Sequence, residues 1–173
     1  MNKKLLRYTV GIAMLAIVIP VTLTSMITIE DAVNADNPIT KKWVGDFGGI
    51  PPLDKVKVSD FKPALEMAMA DKLSEIEKIA NNTEAPTFEN TIAALERSGQ
   101  MYDRVQTMFG IWSTSMNDEE FQKVETEMAP KLSEFDDKIV QNEKLFSRIE
   151  QVYNKRESSN LTPEQQRLVW SDY

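Results

Sequence analysis

The chain has 173 residues, with 20 Lys+Arg against 27 Asp+Glu and neither Cys nor His. This excludes disulfides, thiolate nucleophiles, zinc ribbons and imidazole bases, so chemistry done by these residues alone has to run on carboxylates, hydroxyls, Lys, Arg or backbone groups. The net charge of −7 argues against a nucleic-acid partner, which needs a basic face, and the 42% hydrophobic, 27% charged composition is that of a globular chain of at most one domain.

Residues 1–35 read as an address. Lys3, Lys4 and Arg7 form a positive start, and Thr9 to Ile19 is an uncharged, mostly apolar run closed by Pro20. That is the layout of a signal peptide. Val33-Asn34-Ala35 places modest side chains where a peptidase would cut, so cleavage is expected after Ala35, leaving 17 basic against 25 acidic residues. The charge-free stretch continues to Ile29, long enough to serve instead as an uncleaved membrane anchor. With no Cys, anchoring through a lipidated cysteine is excluded.

Residues 36–58 carry Pro38, Gly45, Gly48, Gly49, Pro51 and Pro52, which forbid a long helix. An irregular arm is expected, with Trp43, Phe47, Ile50 and Leu53 laid onto a neighbouring surface. From residue 59 onward the spacing is helical. The first helix starts at Asp60 as N-cap, tolerates Pro63 in its first turn, buries Phe61, Ala64, Leu65, Ala68, Met69, Leu73, Ile76 and Ile79, and stops near Asn81-Asn82. The second, capped by Thr87, carries Phe88, Ile92, Leu95, Tyr102, Val105, Phe109 and Trp112, which predicts one helix of about 25 residues running through Gly99.

A third helix is capped by Asn117, with Glu120 reaching back, and buries Phe121, Val124, Met128, Leu132, Phe135 and Ile139. Pro130 predicts a kink, or a break near Met128. Asn142 caps a fourth helix with Leu145, Phe146, Ile149, Val152 and Tyr153 on its stripe, ended by Ser158-Ser159-Asn160. Thr162-Pro163-Glu164-Gln165 is a capping box with Pro at the first helical position. Only eleven residues follow Thr162, with no C-cap glycine and with Leu168, Val169, Trp170 and Tyr173 apolar. This reads either as an interrupted helix or as a C-terminal helix docked on the bundle. The fold class is all-α, an antiparallel segment of about five helices.

Candidate chemistry is sparse. The pairs Glu119/Lys123 and Glu134/Lys138 have the spacing of solvated ion pairs on a helix face. No Asp or Glu sits in an apolar stretch that would raise its pKa for glycosidase chemistry, and Gly48-Gly49 lacks the strand and helix that a phosphate cradle needs. Met67, Met69, Met101, Met108 and Met128 sit mostly on helix stripes as core filler. Asn81-Asn82-Thr83 and Asn160-Leu161-Thr162 match a glycosylation pattern that matters only in a eukaryotic secretory host, and Tyr102 and Tyr153 are expected in the core. No catalytic, cofactor-binding or metal-binding residue is assigned.

Longer phrases carry more. Residues Trp43 to Ala70 (WVGDFGGIPPLDKVKVSDFKPALEMAMA), Ile76 to Gly99 (IEKIANNTEAPTFENTIAALERSG), MAPKL at Met128 to Leu132 and LTPEQQRLV at Leu161 to Val169 closely resemble the N-terminal region of the thimet-oligopeptidase-like zinc peptidases, most of all their bacterial peptidyl-dipeptidase branch in secreted form. The resemblance implies a long, mostly helical metallopeptidase with a deep channel, which removes C-terminal dipeptides from short peptides using Zn2+ held by an HExxH helix and a distal Glu. None of those motifs occurs between Met1 and Tyr173, so no catalytic or zinc-binding role carries over to any residue here. What carries over is architecture. Residues 37–173 resemble the helical segment that builds one channel wall, expected to be exported to the periplasm or beyond, inactive alone, and partnered by a C-terminal catalytic portion. The alternative is an independent extracytoplasmic helical module that binds or inhibits peptides.

Overall fold

The computed structural model describes residues 36–46 and 49–173. The leader, its cleavage after Ala35 and its alternative as an anchor lie outside the described residues, as do Phe47 and Gly48. Among the described residues there is no strand, and no helix is long and apolar enough to cross a membrane. The fold is all-α: α1 (Phe61–Ala80), α2 (Gln100–Ser115), α3 (Glu119–Val140), α4 (Glu143–Lys155) and α5 (Pro163–Asp172), with short helical turns at Val58–Asp60, Phe88–Ile92 and Ala93–Glu96.

The helix starts follow side-chain chemistry, with two corrections. Asp60 does not cap α1. Its own backbone is already helical (φ −80°, ψ −22°), so its carboxylate turns back to accept the Lys57 N–H at 2.8 Å and winding begins with a 3₁₀ turn at Val58. Asp118, not Asn117, caps α3, because Asp118 has the extended backbone a cap requires and accepts the Phe121 N–H at 2.8 Å. The third helical position then falls on Phe121, which cannot reach back as Glu120 was expected to. Asn117 instead donates to the Ser113 carbonyl at 3.2 Å and to the Glu125 carboxylate at 3.0 Å. Thr87, Asn142 and Thr162 cap as expected: each side-chain oxygen accepts the N–H three residues on, and Asn90 and Gln165 close reciprocal boxes onto Thr87 and Thr162.

The expected long second helix is two pieces. Gly99 adopts φ +73°, and its N–H donates to the Glu75 carboxylate of α1 at 2.6 Å. A Cβ there would sit 2.6 Å from Cδ of Lys72, so the break is built around the absence of a side chain. Before it, Phe88–Ile92 is wound as a π-helix that continues as Ala93–Glu96. By contrast α3 runs unbroken through Pro130, so no break occurs near Met128. Pro130 lies on the exposed face, while Phe121, Met128 and Phe135 stay buried on the other.

Two apolar clusters share α1. Its first half enters a cluster of Ile39, Phe61, Leu65, Met69, Val105, Met108, Trp112, Phe121, Met128 and Phe135. Phe61 is its centre, with ring centroids 5.1 Å from Trp112, 5.1 Å from Phe121 and 6.0 Å from Phe109. The second half of α1 supplies Ile76, Ile79 and Ala80 to a cluster with Ile92, Leu145, Ile149, Val152 and Val169. Phe146 departs from the expected buried stripe of α4: it is exposed and stacks on Tyr173.

The start of the arm is fastened to this body. The buried Asn37 amide donates to the Asp60 carbonyl at 2.7 Å, Ile39 is fully buried, and Arg104 of α2 donates to the Thr40 carbonyl at 3.3 Å. Trp43 lies half-buried against the first cluster, whereas Val44, Ile50 and Leu53 are exposed.

Candidate functional site

A groove of about 420 Å³ opens where α1, the Ala93–Glu96 turn, α2 and α3 meet. Lys72 of α1 crosses it, its methylenes over Gly99 and its ammonium 4.9 Å from the Tyr102 ring centroid. Glu96, Asp103 and Asp136 line the same groove, beside Ile76, Leu95 and Ile139. Tyr102, expected in the core, is half-buried at this site. Its ring packs on Phe135 at a tilt of 38° with centroids 4.7 Å apart, its hydroxyl accepts from Gln106 Nε2 at 2.6 Å, and burial pushes the phenol pKa above its ordinary value. A groove with one cation, three carboxylates and apolar walls can hold polar backbone and a positive group. It presents no activated nucleophile.

A second constellation joins α4 to the corner before the Phe88–Ile92 turn. Arg148 is 94% buried (6% exposed) and has no carboxylate partner among the described residues. Its guanidinium donates to the carbonyls of Asn82 at 2.7 Å and Glu84 at 3.0 Å, to Asn90 Oδ1 at 2.9 Å and to Thr91 Oγ1 at 3.3 Å. Among the described residues its Nε has no partner. Sequence reasoning passed over it, although it falls three residues after Leu145 on the buried stripe of α4, which was the available signal.

The third is a ring stack at the end of the chain. The rings of Tyr153 and Tyr173 stack with centroids 4.0 Å apart, Phe146 stacks on Tyr173 at 5.8 Å, and Arg156 sits 3.9 Å from the Tyr153 centroid. Tyr153 is therefore a half-buried stacking residue. Nearby Asp172 has its carboxyl pKa raised, by burial first and by the Glu96 charge second, and its Oδ2 is buried without a partner among the described residues. Glu134 and Lys138 form a surface ion pair at 2.7 Å, and Lys138 holds the Glu134 carboxyl below its usual range. Gly49 lies against the backbone of Trp43 and Val44 at φ +95° rather than at a helix N-terminus.

The residues present do not fit the zinc that the sequence resemblance implies. The chain has no His and no Cys, and among the described residues no group of three or more acidic side chains could hold a metal ion.

No family model matches the chain. Two curated proteins do: the dipeptidyl carboxypeptidase of Escherichia coli K12, 35% identical over 119 residues, and that of Salmonella typhimurium LT2, 34% identical over the same length. In each case the match covers 69% of this chain. Over that stretch the chain is homologous to dipeptidyl carboxypeptidase. It spans only 18% of the length of those relatives.

Proposed function

We propose that this chain is the N-terminal helical part of an exported zinc peptidyl-dipeptidase, forms one wall of its peptide channel, and is inactive alone. The observation that carries this reading is the 34–35% identity to two dipeptidyl carboxypeptidases over 119 residues. The 18% coverage supports placing the zinc site and the catalytic residues in the other four fifths of the relatives' length. The groove crossed by Lys72, with its carboxylates and apolar wall, suits contact with a peptide's backbone and amino end rather than with its reacting carbonyl.

The test is complementation. The purified chain should retain no stoichiometric zinc after dialysis and should not cleave blocked tripeptides, because carboxylates alone make a poor zinc site. Mixed with a separately expressed C-terminal portion of the Escherichia coli dipeptidyl carboxypeptidase, it should raise zinc-dependent release of C-terminal dipeptides above that of the portion alone. Tight zinc binding with peptidase activity of the chain by itself would overturn the reading. Export is checked by fractionation and N-terminal sequencing in a Gram-negative host, where a periplasmic product starting at Asp36 is expected.

A further inference from the structure

The arm and the helical body differ in charge. Residues 36–58 carry four lysines against three aspartates, whereas residues 59–173 carry 13 basic against 22 acidic side chains. The arm is also where apolar side chains stand free, with Val44 83%, Ile50 76% and Leu53 42% exposed. A turn holds this surface together: the Gly49 N–H donates to the Asp46 carbonyl at 3.0 Å, and Gly49 packs so closely on the backbone of Trp43 and Val44 that no Cβ fits. The small apolar groove between these two stretches, about 210 Å³, has Lys41, Lys42 and Lys55 as its charged lining and no carboxylate. Asp36 pairs with Lys41, while Asp46 and Asp54 are exposed on the flanks.

We propose that this arm surface docks on an anionic lipid surface, with the tips of Val44, Ile50 and Leu53 entering the headgroup layer and Lys42, Lys55 and Lys57 meeting lipid phosphates. The charge distribution selects a membrane as the occupant. A negative surface attracts the lysines of the arm and repels the acidic body, so the charge distribution fixes which side faces it. The proposal is independent of the peptidase reading.

The absence of cysteine makes the test clean. Single variants Val44→Cys, Ile50→Cys and, as an exposed apolar control on the body, Val140→Cys are made in the full chain, labelled with an environment-sensitive fluorophore and mixed with vesicles of phosphatidylglycerol in phosphatidylcholine. A blue shift with quenching by a lipid-borne quencher is expected at 44 and 50 and not at 140. It should be lost on pure phosphatidylcholine, in high salt, and when Lys42, Lys55 and Lys57 are all changed to Glu. No shift at 44 and 50 overturns the proposal. So does an equal shift on pure phosphatidylcholine, which would reflect tethering by the leader alone, or a shift without vesicles, which would mark self-association through the arm.

Discussion

The two clusters that share α1 are stabilised by different means. Around Phe61 the packing is aromatic and uncharged, with rings from α1, α2 and α3 meeting edge to face or tilted. Around Ile76 and Ile149 the side chains are aliphatic, and a buried guanidinium on the same stripe ties down the backbone of the 82–91 corner. The first region is indifferent to direction and depends on volume. The second depends on donors meeting named acceptors, so it should fail locally where the first fails as a whole.

The largest expected effect is Phe61→Ala, which leaves a cavity touching three helices and should cost about 3–5 kcal/mol in urea unfolding. Amide exchange should accelerate throughout the chain. Next is Arg148→Met, at about 2–4 kcal/mol, since it keeps much of the side-chain volume but strands the Asn82 and Glu84 carbonyls. Here exchange should rise first at residues 82–91, and Arg148→Lys should recover little because one ammonium cannot span four acceptors. If both variants open the chain uniformly, the contrast between the regions is wrong.

Gly99→Ala should cost about 1–2 kcal/mol from the left-handed backbone alone. Adding Lys72→Ala should relieve the steric share and leave that backbone cost, which separates the two causes by urea titration. Thr87→Ala should cost about 1 kcal/mol through the lost cap, read as a lower urea midpoint. The smallest effect is one of pH. Asp172 has a raised folded pKa, so the folded state binds its proton more tightly than the unfolded state. Its favourable contribution is complete below the unfolded value near 3.8 and is lost as pH rises through the folded value. Asp172→Asn should therefore be more stable than the parent at neutral pH and converge with it in acid, as thermal melts across that range would register.

Most of the fold was legible because it rests on local signals. Phe61 to Ile79 and Phe121 to Phe135 were placed by spacing, and Thr87, Asn142 and Thr162 by cap chemistry that acts within three residues. Gly99 was misread because a lone glycine inside a periodic stripe costs a helix little; what makes it a break is Glu75 and Lys72 on another helix, a contact spacing does not contain. Asn117 and Asp118 are equally good caps by type, and only backbone geometry chose between them. Arg148 was missed for the opposite reason. An arginine is assumed to be solvated, and its burial is revealed only once Asn82, Glu84, Asn90 and Thr91 are seen to converge on one point. The Lys72 groove could not be read at all, since its walls come from segments distant in sequence.

The Arg148 corner has a mechanical consequence. Four hydrogen bonds from one side chain make residues 82–84 and 90–91 passengers of α4: a rigid tilt of that helix drags the corner along instead of sliding past it. The edges of the coupled unit are Asn81, where α1 ends and which Lys144 of α4 also holds at 2.6 Å, and Gly99, where the next helix begins. Gly99 hangs from α1 through Glu75, so that edge is tied to α1 as well, next to Ser98 on the wall of the groove that Lys72 crosses.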